Sequence, residues 1–541
     1  MSDSTTKQKV GKLEETAAPV PSGLPEYTGE WNYHNAAHLL RRATFGASHR
    51  EIKQSVRDGL SKTIEKLFRP IRNTPEPINY YFKNDPKVPI GETWVGKAYT
   101  RGVNGLSSAR NNSLWAWVIG RMMEERMNIS PKIMLFWHNH LVVSNTAPAE
   151  INYYYLLTLR KHGLGDFKQM MKDITVDAAM LRYLNGNTST KRAPNENYAR
   201  ELMELFTLGK GPLAGPGDYT TYTEHDIKEI ARALTGWTYN GKLYKGYYVD
   251  GRHDKGEKKL SHRFDNRVIK NAGGGEYKQV IDIIFEREEV APFICRKLYL
   301  WFVNSNITEE VEKTVIQPLA NQFRAGGYQV QPVLEALLKS QHFYDECPRG
   351  SIIKSPIDYL LHMTQTLNFE MPKKLTDKYY IWRLIFIGLR NADQAPFYIP
   401  SVAGWPAYYQ EPVYYKYWIS AVSLPQRKKT TNDFIYGKIR KGKTYYGLQL
   451  VDVVDDFDNP FDPNALVKQL ADLVMPYPLT DKQLEYLKTI GLIPGLPDFE
   501  WTEEYGDYRD NPKDETKKKT VLNRLRHLMD TMLNLPEYQM M

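Results

Sequence analysis

The chain is short of several things, and each shortage closes off a class of protein. Only two of its 541 residues are cysteine, Cys295 and Cys347. A disulfide scaffold is therefore excluded as an organising principle. One bridge stays open, and two cysteines fit a reducing compartment. No apolar run is long enough to span a bilayer. The first thirty residues, rich in Ser, Thr, Lys, Glu, Pro and Gly, hold neither an apolar signal core nor a twin arginine. The expectation is a soluble protein that stays in the cytoplasm, or is exported without a signal of its own in complex with a partner. Dense runs of one charge are also missing. The excess of +9 comes from 72 basic against 63 acidic residues. The runs Lys517-Lys518-Lys519 and Arg427-Lys428-Lys429 read as solvated turns, so nucleic acid is not an expected partner. There is no Gly-rich phosphate loop, no His-Glu-x-x-His and no Gly-x-Ser-x-Gly elbow. The motif-defined nucleotide, zincin and hydrolase classes are excluded with them.

Aromatic residues, by contrast, are plentiful. Tyrosine clusters at Tyr153-Tyr154-Tyr155, Tyr379-Tyr380, Tyr408-Tyr409 and Tyr414-Tyr415. Tyrosine offers apolar area with a polar tip, so packing between helices is the leading reading, ahead of a groove for a carbohydrate or an aromatic ligand. Residues 1–30 read as a disordered or loosely docked tail. Helical periodicity then dominates: a helix from Asn35 ending at Gly46, one over 48–67, one over 111–128, and one opened by Ser130-Pro131 as N-cap and first residue. The last is apolar nearly all round through Val143, so it should be buried. Between Trp237 and Gly275 the pattern changes to Tyr, Gly and Lys interleaved, a β-hairpin-like excursion. Thr223 and Asp226 are spaced as a capping box, and Ser355-Pro356 starts another helix. The chain is expected to be mainly α, a large multi-helix array with that small excursion near 237–275. Its expected parts are a tail (1–30), a helical core with a polar site (31–350) and a C-terminal helical subdomain packed on it (351–541).

The most informative stretch is Pro194 to Gly209. At the helical period Tyr198, Leu202, Leu205 and Phe206 share one side, and Glu196, Asn197, Arg200, Glu201 and Glu204 share the other. Glu201 and Glu204, with Asn197 one turn earlier, suit a hard cation or an acid/base pair. The bland alternative is a solvated face with Arg200 and Glu204 as an i,i+4 pair. His138 and His140 lie in the buried helix and must find partners, because an unpaired polar group there costs about 1–3 kcal/mol. Two residues apart on a helix they point in nearly opposite directions, which weakens a chelate. His253-Asp254 sits in the excursion. His34 and His38, four apart, have a spacing that can chelate.

Several motifs follow one another in the order of a known family: His38 to Gly46 (HLLRRATFG), Phe136 to His140 (FWHNH), Pro194 to Glu201 (PNENYARE), Ala231 to Trp237 (ARALTGW), His253-Asp254, Lys354-Ser355-Pro356 and Pro400 to Pro406 (PSVAGWP). The chain resembles, from about residue 35 to its C-terminus, the bacterial domain-of-unknown-function family numbered eighteen hundred. The resemblance implies no activity. It does imply a neighbour, since genes of that family often lie beside those of sulfatase- or phosphatase-like proteins.

Two readings follow. In the first, the chain is a metal-dependent or acid/base enzyme. Its metal ligands would come from His138, His140, Asn197, Glu201, Glu204, His253 and Asp254, around a divalent metal of unspecified identity. His138, His140 and Glu201 would do the chemistry, and Arg42 and Arg200 would orient carboxylates or an anionic substrate. In the second, it is a non-enzymatic helical scaffold or chaperone-like partner of a co-exported sulfatase- or phosphatase-like protein. The same residues then form a structural network.

Overall fold

A computed structural model describes residues 23–144, 147–241, 243–346, 348–408 and 414–541, with the side chains of Tyr414 and Tyr415 excepted. Cys347, Tyr409 and most of the N-terminal tail lie outside the described residues. The fold is mainly α. Its β structure among the described residues consists of two-stranded antiparallel ladders. One of them pairs Trp237–Asn240 with Lys245–Tyr248, and another pairs Lys258–Lys259 with Val268–Ile269. The excursion expected near 237–275 is therefore a hairpin followed by a second short ladder. No described helix is long and apolar enough to cross a membrane.

One contiguous apolar core runs from Leu24 to Tyr538, and polar contacts also cross residue 350. Several of the clustered tyrosines serve packing, while Tyr380 is exposed. Tyr153 meets the rings of Trp94 and Trp117, and Tyr408 lies 4.5 Å from Trp301. Part of the expected tail is docked: Leu24 is buried and Glu26 bridges to Ser340.

The helices that position the polar motifs begin where the sequence supplies a cap. Asn32 caps the Tyr33–Ala43 helix, Asn195 caps Glu196–Glu201, and Ser355 caps Pro356–Thr366 with Pro356 in the first turn. Thr223 and Asp226 form the expected capping box. The Ser130–His140 helix differs from expectation at both ends. Ser130 is its first helical residue and makes no cap; the Asn128 carboxamide accepts from the Ser130 N–H instead. The helix stops at His140, so Leu141, Val142 and Val143 are buried in extended chain rather than helix. The Glu196 helix also changes character. From Leu202 to Thr207 it continues as a π-helix, with Thr207 Oγ1 donating to the Leu202 carbonyl.

Candidate functional site

His138 is sealed between two other elements. Its Nε2 accepts the Phe397 backbone N–H at 2.9 Å, which leaves the proton on Nδ1. Nδ1 then donates to the Tyr155 hydroxyl at 3.1 Å, and that hydroxyl donates to the Leu141 carbonyl at 2.6 Å. Its neighbour Asn139 is buried and accepts from the Trp405 N–H through Oδ1 at 2.9 Å. His140 faces elsewhere: its Nε2 donates to the Phe206 carbonyl, within the π-helix, at 2.9 Å. The rings of Phe136, Trp137 and Phe167 surround it. Burial pushes both histidines down to about 3, so both are neutral at physiological pH.

The carboxylate helix behaves differently. Asn197 is exposed. Arg200 forms a two-pronged pair with Glu224 at 2.8 and 2.7 Å, and its i,i+4 contact to Glu204 is longer, 3.6 Å. Glu204 accepts from the Tyr222 hydroxyl. Glu201 is partly buried and makes no hydrogen bond or ion pair among the described residues. Burial, and next the Glu204 charge, raise its pKa above the usual glutamate value, with Arg200 opposing.

His253 is wholly buried in a third place. Nδ1 donates to the Thr235 carbonyl at 2.9 Å, and Nε2 faces Glu276 Oε1 at 2.9 Å. The second oxygen of Glu276 pairs with Lys258 Nζ at 2.5 Å, and both of those side chains are also fully buried. Asp254 is held in a fork by Arg232, at 2.8 and 3.1 Å. The sequence placed His138, His140, Glu201, Glu204, His253 and Asp254 around one centre. The structure distributes them over three neighbourhoods, in which all but Glu201 find partners of their own. His140 alone joins its helix to the carboxylate helix, through a backbone carbonyl.

The implied metal finds a poor donor set here. Both nitrogens of His138 and His253 and one of His140 are engaged, and Asp254 is in the Arg232 fork. Glu204 is engaged by the Tyr222 hydroxyl; Glu201, the exposed Asn197 and the second nitrogen of His140 remain, and the His140 ring is enclosed by Phe136, Trp137 and Phe167. No group of three or more His, Cys, Asp or Glu suited to a metal occurs among the described residues. His34 and His38 also separate: His34 Nε2 is 4.0 Å from Asp472, while His38 Nε2 donates to the Phe343 carbonyl in the core.

Some of the motifs do converge, around a residue that carries no motif of its own, Asp358. Asp358, in the first turn of the Pro356–Thr366 helix, accepts from Ser355 Oγ and pairs with Lys132, which is buried one turn before the FWHNH motif. Arg42 is completely buried. Its Nη2 donates to the Pro348 carbonyl at 2.5 Å and to Ser351 Oγ at 3.3 Å, and its Nε and Nη1 find no acceptor. The role expected of it from sequence, orienting carboxylates or an anionic substrate, falls on a side chain that is fully buried. Lys354 is buried with its Nζ 3.1 Å from His362 Nδ1 and 3.7 Å from the centre of the Tyr538 ring. Arg427 is likewise buried rather than solvated, donating to the Lys354 and Trp418 carbonyls. Asp358 is the one carboxylate whose charge acts on all four cations. Burial lowers the pKa of each, Arg42 to about 9 and Arg427 to about 10, and holds Lys354 well below an ordinary lysine.

Two glycines let these motifs touch. Gly46, at φ +118°, lies so close to the Pro356–Thr366 helix that a Cβ would sit 3.1 Å from His362 Cα. Gly404, at φ +103°, would place a Cβ 2.6 Å from Asn139 Oδ1. Gln394 Oε1 accepts the Ile357 N–H and closes the circuit. The centre is thus a cationic knot that ties three elements to the 394–408 loop. Lys132, Asp358 and Gln394 carried a signal only in hindsight: a lysine in an otherwise apolar helix, and a carboxylate three residues after a Ser-Pro start.

Fold and site define a mainly helical protein built around a buried, charge-rich motif centre. The family model described as "Protein of unknown function (DUF1800)" matches residues 38–540, and the chain belongs to that family. No curated protein and no solved structure matches it.

Proposed function

We propose that this protein is a non-enzymatic helical scaffold, a partner of the kind of sulfatase- or phosphatase-like protein that the family resemblance implies. The observation that carries this reading is the sealing of the motif residues. His138, Asn139, His140, His253 and Asp254 are all engaged in internal pairs. Side chains so arranged rigidify a fold and present no reactive atom to a ligand. The test is co-expression with a sulfatase- or phosphatase-like protein of the kind that the family resemblance implies. A stoichiometric complex by light scattering, unchanged by Glu201→Gln, is the expected result. Failure of the two purified proteins to associate contradicts the reading.

One observation favours a second reading, an acid/base enzyme. Glu201 is a partly buried, unpaired carboxylate of raised pKa at the start of a π-helix, a combination that recurs at functional sites. In the metal-dependent form, Glu201 and Asn197 would supply protein ligands. Elemental analysis of the pure protein and of Glu201→Ala distinguishes this form: stoichiometric metal, lost on substitution, is its signature.

A further inference from the structure

We propose that the cleft on the outer side of the 394–408 loop binds a neutral carbohydrate. This goes beyond the scaffold reading and does not depend on it. The cleft has a volume of about 490 Å3, within the roughly 300–1,000 Å3 typical of small-molecule sites. Its walls include Tyr398, Trp405, Tyr417 and Trp418, and Arg390 and Asp393 stand at its side. Tyr417 is 54% exposed, while Trp418 is buried at its edge, so one ring is free to cover a ligand and the other is fixed.

The polar groups decide the class of ligand. Arg390, in the last turn of the Leu375–Asn391 helix, lies over the Tyr398 ring with its guanidinium carbon 4.3 Å from the centroid. It makes no ion pair among the described residues. Asp393, just beyond that helix, is exposed and its carboxylate has no partner either. One group offers only donors and the other only acceptors, and they are not paired with each other. The buried indole N–H of Trp405 also lacks an acceptor among the described residues. The two serines in the wall are already committed: Ser423 Oγ donates to the Trp418 carbonyl, and Ser420 Oγ accepts from the Val422 and Ser423 N–H groups.

A ligand carrying charge of one sign would satisfy Arg390 or Asp393 and be repelled by the other. A proline-rich peptide suits aromatic walls and indole donors, but offers few N–H groups for Asp393. A hydroxyl both donates and accepts, so the vicinal hydroxyls of a sugar can answer both charged groups while its apolar face lies on the aromatic rings. The 394–408 wall of the cleft is fixed from behind by His138 and Asn139, so that wall is in place before a ligand arrives.

The test is a broad array of neutral glycans probed with the full chain, followed by titration of a binding disaccharide and, in parallel, of a ten-residue polyproline peptide. The expected result is saturable glycan binding that falls at least tenfold in Tyr417→Ala and in Asp393→Asn. Both residues are exposed, and Asn tolerates the φ of +62° at position 393, so both variants should fold like the parent. The proposal is overturned if no glycan binds, if bound glycans ignore both substitutions, or if only the polyproline peptide is held in the cleft.

Discussion

The Ser130–His140 and Glu196–Glu201 helices carry polar groups of equal promise in the sequence, and the fold treats them in opposite ways. The first buries His138, Asn139 and His140 and pairs each with the backbone of another element. The second leaves Asn197 exposed and Glu201 without a partner. The difference lies in the rest of each helix. Ile133, Met134, Phe136 and Trp137 drag every face of the first into the core, so its polar groups must be satisfied there. The second has one apolar face, and its polar face can stay at the boundary with water. A polar residue in an all-apolar helix is therefore the stronger sign of a structural role, and one on an amphipathic helix the stronger sign of availability.

Four substitutions would break or sharpen this contrast. The largest effect is expected at the knot behind the first helix. Asp358→Ala strands Lys132 and removes the one carboxylate shared by Arg42, Lys354 and Arg427. A loss of about 3–5 kcal/mol in urea unfolding is predicted, the scale for breaking a buried ion pair. A loss under 1 kcal/mol would mean that water reaches the site.

Next comes His138→Phe, which leaves the Phe397 N–H and the Tyr155 hydroxyl without their partner. It should cost about 1–3 kcal/mol at pH 7. Its pH dependence is more telling. In the folded protein His138 titrates at about 3, against 6.5 for the free side chain. Its depressed pKa means that its contribution is complete above 6.5 and is lost as pH falls toward 3, because only the unfolded chain takes up the proton. The variant should show a flatter loss of stability over that window. An unchanged acid limb would show that His138 is already solvated.

Gly404→Ala should destabilise by about 1–3 kcal/mol through its left-handed backbone and the contact with Asn139 Oδ1. Pairing it with Asn139→Ala, which removes the obstructing atom, should yield less than the sum of the two losses. Strict additivity would separate Gly404 from the FWHNH helix.

The smallest effect belongs to the second helix. Glu201→Gln should alter stability at pH 7 by no more than about 0.5 kcal/mol, as for a boundary residue without partners. Its raised pKa gives the opposite sign to His138: folding favours the protonated acid, so this contribution is present at low pH and lost as pH rises through the folded value. A loss above 1 kcal/mol would reveal a partner for the carboxylate.

Much of the fold was legible in the sequence because its signals are local. Asn195, Thr223 and Ser355 sit where caps were needed, and the change of pattern after Trp237 marks a real hairpin. Ser130 misled because the helix begins at Ser130 itself, with Ile129 in the cap position and Asn128 accepting the Ser130 N–H. The site was less legible. His138 and His140 were marked as needing partners, but key partners are a backbone amide and a carbonyl of distant elements, Phe397 N and Phe206 O, which have no sequence signature. Arg427 looked like part of a solvated basic run, since nothing local shows that its helix end is covered by Lys354 and Trp418. The helix that follows Lys354-Ser355-Pro356 does meet the one that carries FWHNH, through Asp358 and Lys132, across more than two hundred residues of chain.

Hydrogen exchange of the 394–408 loop in His138→Phe tests the central claim most directly. If the FWHNH motif exists to hold that loop, amides from Phe397 to Trp405 should lose protection while those of Glu196–Glu201 keep theirs. Unchanged protection in the loop, with faster exchange at Glu196–Glu201 instead, would contradict the account and return His138 to a centre shared with the carboxylate helix.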